Sequence, residues 1–216
     1  MLAHNSLSQK LAISLALLAG FIDALGYLSL GGVFVSFMSG NSTRFAVGIS
    51  DGSALGVALI PLGIIALFVI GVMIGRAIRH FSTKKPSTSI LAFMSLMLMG
   101  AGFLHGGNAT TYSVILMAMA MGAANNIFFR GGEVSVGVTY MTGTLVKFGQ
   151  RLAGRLLGEK DHNWLPYLLL WIGLITGAIL GATGYLFYGL HIVWAGVALC
   201  LLLTFISFRY EEAAPL

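Results

Sequence analysis

Asp23 is the one acidic residue in an apolar run from residue 11 to about residue 30. An aspartate in the middle of a membrane-spanning helix costs roughly 2.5 to 3.5 kcal/mol on insertion scales, so it should face the protein interior. There it could hold a proton or a cation, or it could be a structural carboxylate that pins a broken helix. Asn125 and Asn126 lie in a later apolar run and are neutral, suited either to a polar solute or to linking helices, at about 0.6 kcal/mol per such bond. Ser39-Gly40-Asn41 and Thr142-Gly143-Thr144 supply hydroxyls, an amide and backbone N–H groups. Those groups suit a small polar solute or an anion at a half-helix N-terminus, although the same small residues also permit tight packing. Arg44 could bind an anion, pair with Asp23 or Asp51, or reach to lipid headgroups. Lys147, at the matching place after Gly143, reads as part of a basic face with Arg151 and Arg155, while Arg130 and Glu133 lie just before the second motif.

Catalytic and metal chemistry find no support in these residues. No His-Glu-x-x-His or P-loop pattern is present, nor a plausible nucleophile with its base, so no enzyme is expected. His105 and His191 sit near predicted helix ends, and no histidine pair has metal-ligand spacing. Cys200 is the sole cysteine, which excludes an intrachain disulfide and a cysteine-based metal site. Neither a metal nor a cofactor is expected.

The elements that must position these groups are membrane helices. Of the 216 residues 57% are hydrophobic and only 9% charged, against about 25% charged in soluble domains. That excludes an ordinary cytosolic enzyme, a nucleic-acid-binding module and a disordered tail. Apolar runs at residues 11–30, 53–78, 90–104, 111–129, 164–187 and 191–208 approach the roughly 20 residues that cross a bilayer. The first is too long for a cleavable signal peptide and lacks a small-residue cleavage site. Segments 33–50 and 134–157 are ambiguous, being interrupted by Ser, Thr, Asn, Gly and a basic residue.

Arg76, Arg79, Lys84 and Lys85 crowd one loop, and Lys147, Arg151, Arg155 and Lys160 another, so both loops should be cytoplasmic. With the terminus bearing Lys10 also inside, both ambiguous segments must return to the side they left. The net charge of +5 follows from this asymmetry and calls for no nucleic-acid partner. The expectation is a multi-pass inner-membrane protein with six transmembrane helices and both termini cytoplasmic. Its partners are then the lipid bilayer and a small polar solute or ion.

The chain also repeats itself. At an offset of 103, Val33, Val35, Ser36, Phe37, Met38, Ser39, Gly40, Arg44 and Phe45 fall on Val136, Val138, Thr139, Tyr140, Met141, Thr142, Gly143, Lys147 and Phe148. The same offset lays Asp23 on Asn126 and Gly20 on Ala123. Residues 1–107 and 108–216 thus form two repeats of three spanning helices. Because three is odd, the second enters the membrane from the opposite face. The fold expected is all-α, two inverted three-helix repeats, each with an interrupted or re-entrant segment. Gly31-Gly32 and Gly131-Gly132 mark the breaks.

Secondary transporters of this build place the solute near the midplane, where the interrupted segments meet. Gly71 and Gly75, and Gly173, Gly177 and Gly181, have the small-xxx-small spacing that brings helices together, within one chain or between copies of a homo-oligomer. The methionines from Met94 to Met121 read as gap-filling core or as lipid contacts.

The run Gly20-Phe21-Ile22-Asp23-Ala24, followed by Gly32-Val33-Phe34-Val35-Ser36-Phe37-Met38-Ser39-Gly40-Asn41, resembles the YoaK family of small bacterial inner-membrane proteins, a domain of unknown function (1275). Arg130 and Thr139-Tyr140-Met141-Thr142-Gly143-Thr144 are similar to it as well, and so is Ala124-Asn125-Asn126, where the family pattern has Gln-Asn. The resemblance covers nearly the whole chain and implies a multi-spanning membrane protein without an established substrate. From the residues, the leading reading is a small-solute transporter with Asp23 sensing a proton or cation. The alternatives are an ion channel lined by the two re-entrant segments, with Arg44 as a selectivity charge, and a non-transporting scaffold.

Overall fold

The computed structural model describes residues 6–104, 109–130, 133–134, 137, 139–159 and 163–213. Gly131, Gly132, Val136, Val138, His105 and Lys160 lie outside the described residues, as do the side chains of Arg130 and Glu133. The described chain forms α1 (Ser6–Ser29), α2 (Met38–Ser50), α3 (Leu55–Phe81), α4 (Pro86–Phe103), α5 (Ala109–Ala124), α6 (Met141–Leu156), α7 (Leu165–Tyr188) and α8 (Val193–Ala213). A 3-10 turn, Gly189–Ile192, joins the last two. Among the described residues the only strands form a two-residue antiparallel ladder, Phe129–Arg130 with Glu133–Val134.

Helix ends follow from local chemistry. α1 stops where expected: Gly31 and Gly32 take φ of 60° and 96°, and the Gly32 N–H donates to the Tyr27 carbonyl at 2.7 Å. Left-handed backbone is nearly free for glycine and costly for other residues, so the glycine pair closes the helix and turns the chain. α5 ends at Ala124, five residues short of the 111–129 run read from the sequence. Asn125 Nδ2 donates to the Met121 and Gly122 carbonyls at 3.1 and 3.5 Å, caps the last turn, and diverts the chain. The ambiguous segments become helical only from Met38 and Met141 onward.

α1 from Ser8, α3 and α4 are each long and apolar enough to cross a membrane, and so is the run Leu165–Glu211 that contains α7 and α8. α5, at 16 residues, reaches only about 24 Å.

Two glycine seams set the packing. Gly173, Gly177 and Gly181 lie in turn against Ile13, Leu17 and Phe21, so α7 runs parallel to α1. Gly71 and Gly75 lie against Met119 and Ala123, so α3 runs parallel to α5. At Gly71 and Gly177 an added methyl would run into the facing carbonyl. Lipid is as apolar as the helix faces, so close van der Waals contact, not water exclusion, holds such seams. These glycine faces are therefore occupied inside one copy of the chain.

α4 and α8 run antiparallel, with Thr88 bonded to Ser207 at 3.2 Å near one end and Gly102 against Trp194 at the other. α5 is antiparallel to α4, since the Ser113 hydroxyl donates to the Ala101 carbonyl at 2.8 Å and Leu116 meets Gly100. Hence α1, α4 and α7 point one way, and α3, α5 and α8 the other. The centre is filled by Leu15, Leu18, Ile22, Met94, Leu98, Met117 and Met121, each at most 2% exposed. Val69, Met73, Leu186, Phe187 and Phe205 face outward, an apolar surface suited to lipid.

Candidate functional site

The irregular chain between α1 and α2 has few backbone partners, and side chains take their place. Asp23 Oδ1 accepts the N–H groups of Val35 and Ser36, both at 2.8 Å, and Oδ2 accepts the Ser36 hydroxyl at 2.7 Å. Asn41, fully buried, grips both sides of one residue: Oδ1 accepts the Phe34 N–H at 3.0 Å and Nδ2 donates to the Phe34 carbonyl at 2.7 Å. Arg44 Nη2 donates to the Gly31 carbonyl at 2.8 Å, and so pairs with neither Asp23 nor Asp51. The Tyr27, Phe34 and Phe37 rings stack in sequence at 5.0 and 5.2 Å. Three of the predicted ligands are thus engaged in holding residues 31–36 against α1 and α2. A buried amide left unbonded costs about 1 to 3 kcal/mol, which explains why charged and amide side chains sit here.

The second interruption shows the same plan among its described residues. Asn125 Oδ1 accepts the Thr139 hydroxyl at 3.0 Å, the counterpart of the bond from Ser36 to Asp23. Thr144, at the place of Asn41, bonds back to the Tyr140 carbonyl of its own helix at 3.2 Å. Gly40 is covered by the Phe37 ring and Gly143 by the Tyr140 ring. Ser39 and Thr142 are exposed.

Packing corrects the alignment of the helices. Gly20 meets Leu174 as Gly122 meets Phe68, Leu17 meets Gly177 as Met119 meets Gly71, and Phe21 meets Gly181 as Ala123 meets Gly75. Every pair relates α1 to α5 by 102 residues (20 to 122, 17 to 119, 21 to 123) and α3 to α7 by 106 (68 to 174, 71 to 177, 75 to 181). Asp23 therefore corresponds to Asn125, not to Asn126, because the second interruption is one residue longer on the helix side of the motif: 14 residues separate Asn125 from Thr139, against 13 between Asp23 and Ser36. Asn126 instead donates to the Val72 carbonyl at 3.0 Å and links α5 to α3.

The two interruptions do not meet. α1 and α5 run in opposite directions and each is broken at its C-terminal end, so the Asp23 and Asn125 clusters lie toward opposite ends of the bundle. Ile22 packs on Gly196, near the start of α8, and Gly100 packs on Leu116. Asn125 lies nine residues beyond Leu116, about 13 Å along the helix axis. Among the described residues no bond joins the two turns.

Sequence reading missed Ser36 and Thr139 as partners of the α1 and α5 side chains, although the duplicated hydroxyl was the available signal. It also missed the end of the bundle where α3 and α5 finish. There Arg79 Nη1 donates to the Asn126 and Ile127 carbonyls at 3.1 and 3.4 Å. Glu211 accepts the Ser87 and Thr88 N–H groups at 3.0 and 3.1 Å and the Thr88 hydroxyl at 2.7 Å, capping α4. At the opposite end, the Ser53 N–H and hydroxyl both bond the exposed Asp51, holding its carboxyl below the usual carboxylate range. Among the described residues no three His, Cys, Asp or Glu side chains lie together as a metal would require.

Residues 11–206 match the family model described as a protein of unknown function (DUF1275). UPF0700 transmembrane protein RA0705 of Rhizobium meliloti (strain 1021) is 33% identical over 209 residues, 95% of this chain and 88% of that protein. UPF0700 transmembrane protein YoaK of Bacillus subtilis (strain 168) is 27% identical over 202 residues, 86% of this chain and 87% of that one. No solved structure matches. With its apolar helices and transmembrane relatives, the chain is a membrane protein.

Proposed function

The chain belongs to the DUF1275 family, and on that premise we propose that it is a non-enzymatic small-solute transporter of the bacterial inner membrane. It is built from two inverted halves of three spanning helices, α1, α3, α4 and α5, α7, α8, with α2 and α6 as segments that do not cross. The observation that carries this reading is the paired contact pattern: three contacts of α1 with α7 recur between α5 and α3, in helices of reversed direction. Inverted repeats with interrupted helices are the usual build of alternating-access transporters. The positive-inside rule sets the orientation: Arg76, Arg79, Lys84, Lys85 and Arg209 lie where α3 and α8 finish, Lys147, Arg151 and Arg155 lie on α6 beyond the end of α5, Lys10 lies near the start of α1, and Arg44 on α2 is the exception. That end is cytoplasmic, and both termini lie inside.

The apolar core favours a transporter over a channel. Leu15, Leu18, Met117 and Met121 close the middle of the bundle, so passage of a polar solute requires the halves to rock against each other. Asp23 is the group through which a proton or cation acts, because Val35 N–H, Ser36 N–H and the Ser36 hydroxyl converge on its carboxylate. Any ligand that takes a carboxylate lone pair competes with them and loosens the first interruption.

The test is flux in proteoliposomes loaded with single small metabolites and inorganic ions. The expected result is saturable, pH-dependent flux of one solute class, lowered about tenfold or more by Asp23→Asn. Ohmic current without saturation would favour a channel, and the absence of flux for every solute would favour a scaffold.

A further inference from the structure

We propose that the seam between α4 and α8 parts at its inner end, with Glu211 as the latch, and that the space so opened is the inner passage of the solute. The passage rests on the transporter reading, whereas the parting itself does not. Thr88, Ser95 and Gly102 recur every seven residues and lay one stripe of α4 on α8. Val193, Val197, Cys200, Thr204, Ser207 and Glu211, spaced by four and three, share the facing stripe of α8.

That stripe changes character halfway. Toward the outer end it is apolar: Val193 and Val197 are buried, Gly102 lies against the Trp194 ring, and the Phe103 and Trp194 rings meet edge to face with centroids 5.0 Å apart. Toward the inner end it is polar, with the Ser95 and Thr204 hydroxyls 3.2 Å apart, Cys200 Sγ 3.7 Å from the Leu91 carbonyl, and Thr88 meeting both Ser207 and Glu211. The hydroxyl bonds across this stretch hold the helices weakly. Ser95 and Thr204 each have one proton, and each also reaches the carbonyl one turn back in its own helix, Leu91 at 2.9 Å and Cys200 at 2.8 Å. A hydroxyl that loses its partner across the seam keeps that bond, so separation leaves neither group unsatisfied. By contrast, α1 with α7 and α3 with α5 close on glycine against backbone, and parting either would bare apolar surface. The polar end is held by Glu211, whose bonds to the Ser87 and Thr88 N–H groups and the Thr88 hydroxyl span the gap. A second tie, Lys85 Nζ over the Phe208 ring at 3.3 Å, lies on the exposed rim, where water weakens it.

Cys200 stands at the head of the polar stretch, is fully buried and is the sole cysteine, so its thiol reports the opening. Its labelling rate follows the fraction of time the seam is open. A small, membrane-impermeant methanethiosulfonate is added to intact cells and to inside-out vesicles. Cys200 should react in the vesicles alone, and Glu211→Gln should speed that reaction about tenfold or more. In a Cys200→Ser background, Val197→Cys, one turn toward the outer end, should stay protected with or without Glu211→Gln. Protection of Cys200 in both the starting protein and the Glu211→Gln variant, or equal acceleration at positions 197 and 200, would overturn the proposal. If Glu211→Gln does not insert, Thr88→Val removes one of the bonds to Glu211 and should speed labelling about threefold; an unchanged rate would overturn the proposal as well. Flux with Cys200 protected throughout would sink this inference and leave transport standing, while labelling without flux of any solute would remove the passage and leave the parting of the seam.

Discussion

The chain after α1 and the chain after α5 descend from one pattern, yet they are held differently. In the first, Asp23, Asn41 and Arg44 together meet five polar backbone atoms, those of Gly31, Phe34, Val35 and Ser36. In the second, among the described residues, Asn125 receives one hydroxyl from Thr139, and Thr144 is satisfied within its own helix. A carboxylate offers two acceptor oxygens and a full charge, where an asparagine offers one acceptor oxygen and must also place a donor. Asn125 places that donor on its own helix end. Among the described residues, the carboxylate puts both its oxygens on the segment that follows the helix break, while the asparagine divides itself between that segment and its own helix end.

The contrast can be broken most forcefully at Asp23. Replacing it by alanine strands two buried N–H groups and a hydroxyl, so Asp23→Ala should lower unfolding stability in detergent by about 3 to 5 kcal/mol, against about 1 to 2 for Asn125→Ala. Equal losses would remove the distinction between the halves. Next in size, Asn41→Ala should cost about 2 to 3 kcal/mol through the Phe34 backbone, whereas Thr144→Ala should cost under about 1. Urea unfolding of both variants, followed by tryptophan fluorescence, measures the gap.

A smaller difference is expected between the two cations. Arg44→Gln should lose about 1 kcal/mol with its bond to Gly31, and Lys147→Gln on the exposed face of α6 should leave the melting temperature nearly unchanged. Smallest of all is a pH effect confined to the first half, because the position equivalent to Asp51 is Gly154. The folded carboxyl of Asp51 titrates below its unfolded value of about 3.9. Its contribution is therefore present above that pH and fades as pH falls through the lower folded value. Asp51→Asn should flatten this acid limb of the melting curve, and an unchanged limb would show that the Ser53 bonds contribute nothing.

Much of the scaffold was legible in the sequence because apolar blocks, glycine pairs and basic loops follow directly from the bilayer. The break at Gly31-Gly32, the buried setting of Asn41 and the matched Met-Ser/Thr-Gly turns belong to that kind of signal. What sequence could not supply was register. An ungapped offset of 103 fits the turns, but helix packing obeys 102 and 106, and a one-residue difference moved Asp23's partner from Asn126 to Asn125. The expected role of the polar residues also shifted, because Asp23, Asn41 and Arg44 answer backbone groups that no linear pattern advertises. The Glu211 cap on α4 joins residues 123 and 124 positions apart, beyond any local motif.

The central claim, that the two halves enter the membrane from opposite faces, is tested most directly by labelling. Ser50 and Ala153 are exposed and equivalent positions on α2 and α6, and Cys200 is the sole native cysteine. In a Cys200→Ser background, Ser50→Cys should react with a membrane-impermeant maleimide added outside intact cells, and Ala153→Cys should react only after the membrane is opened. Labelling of both from the same side would contradict the account.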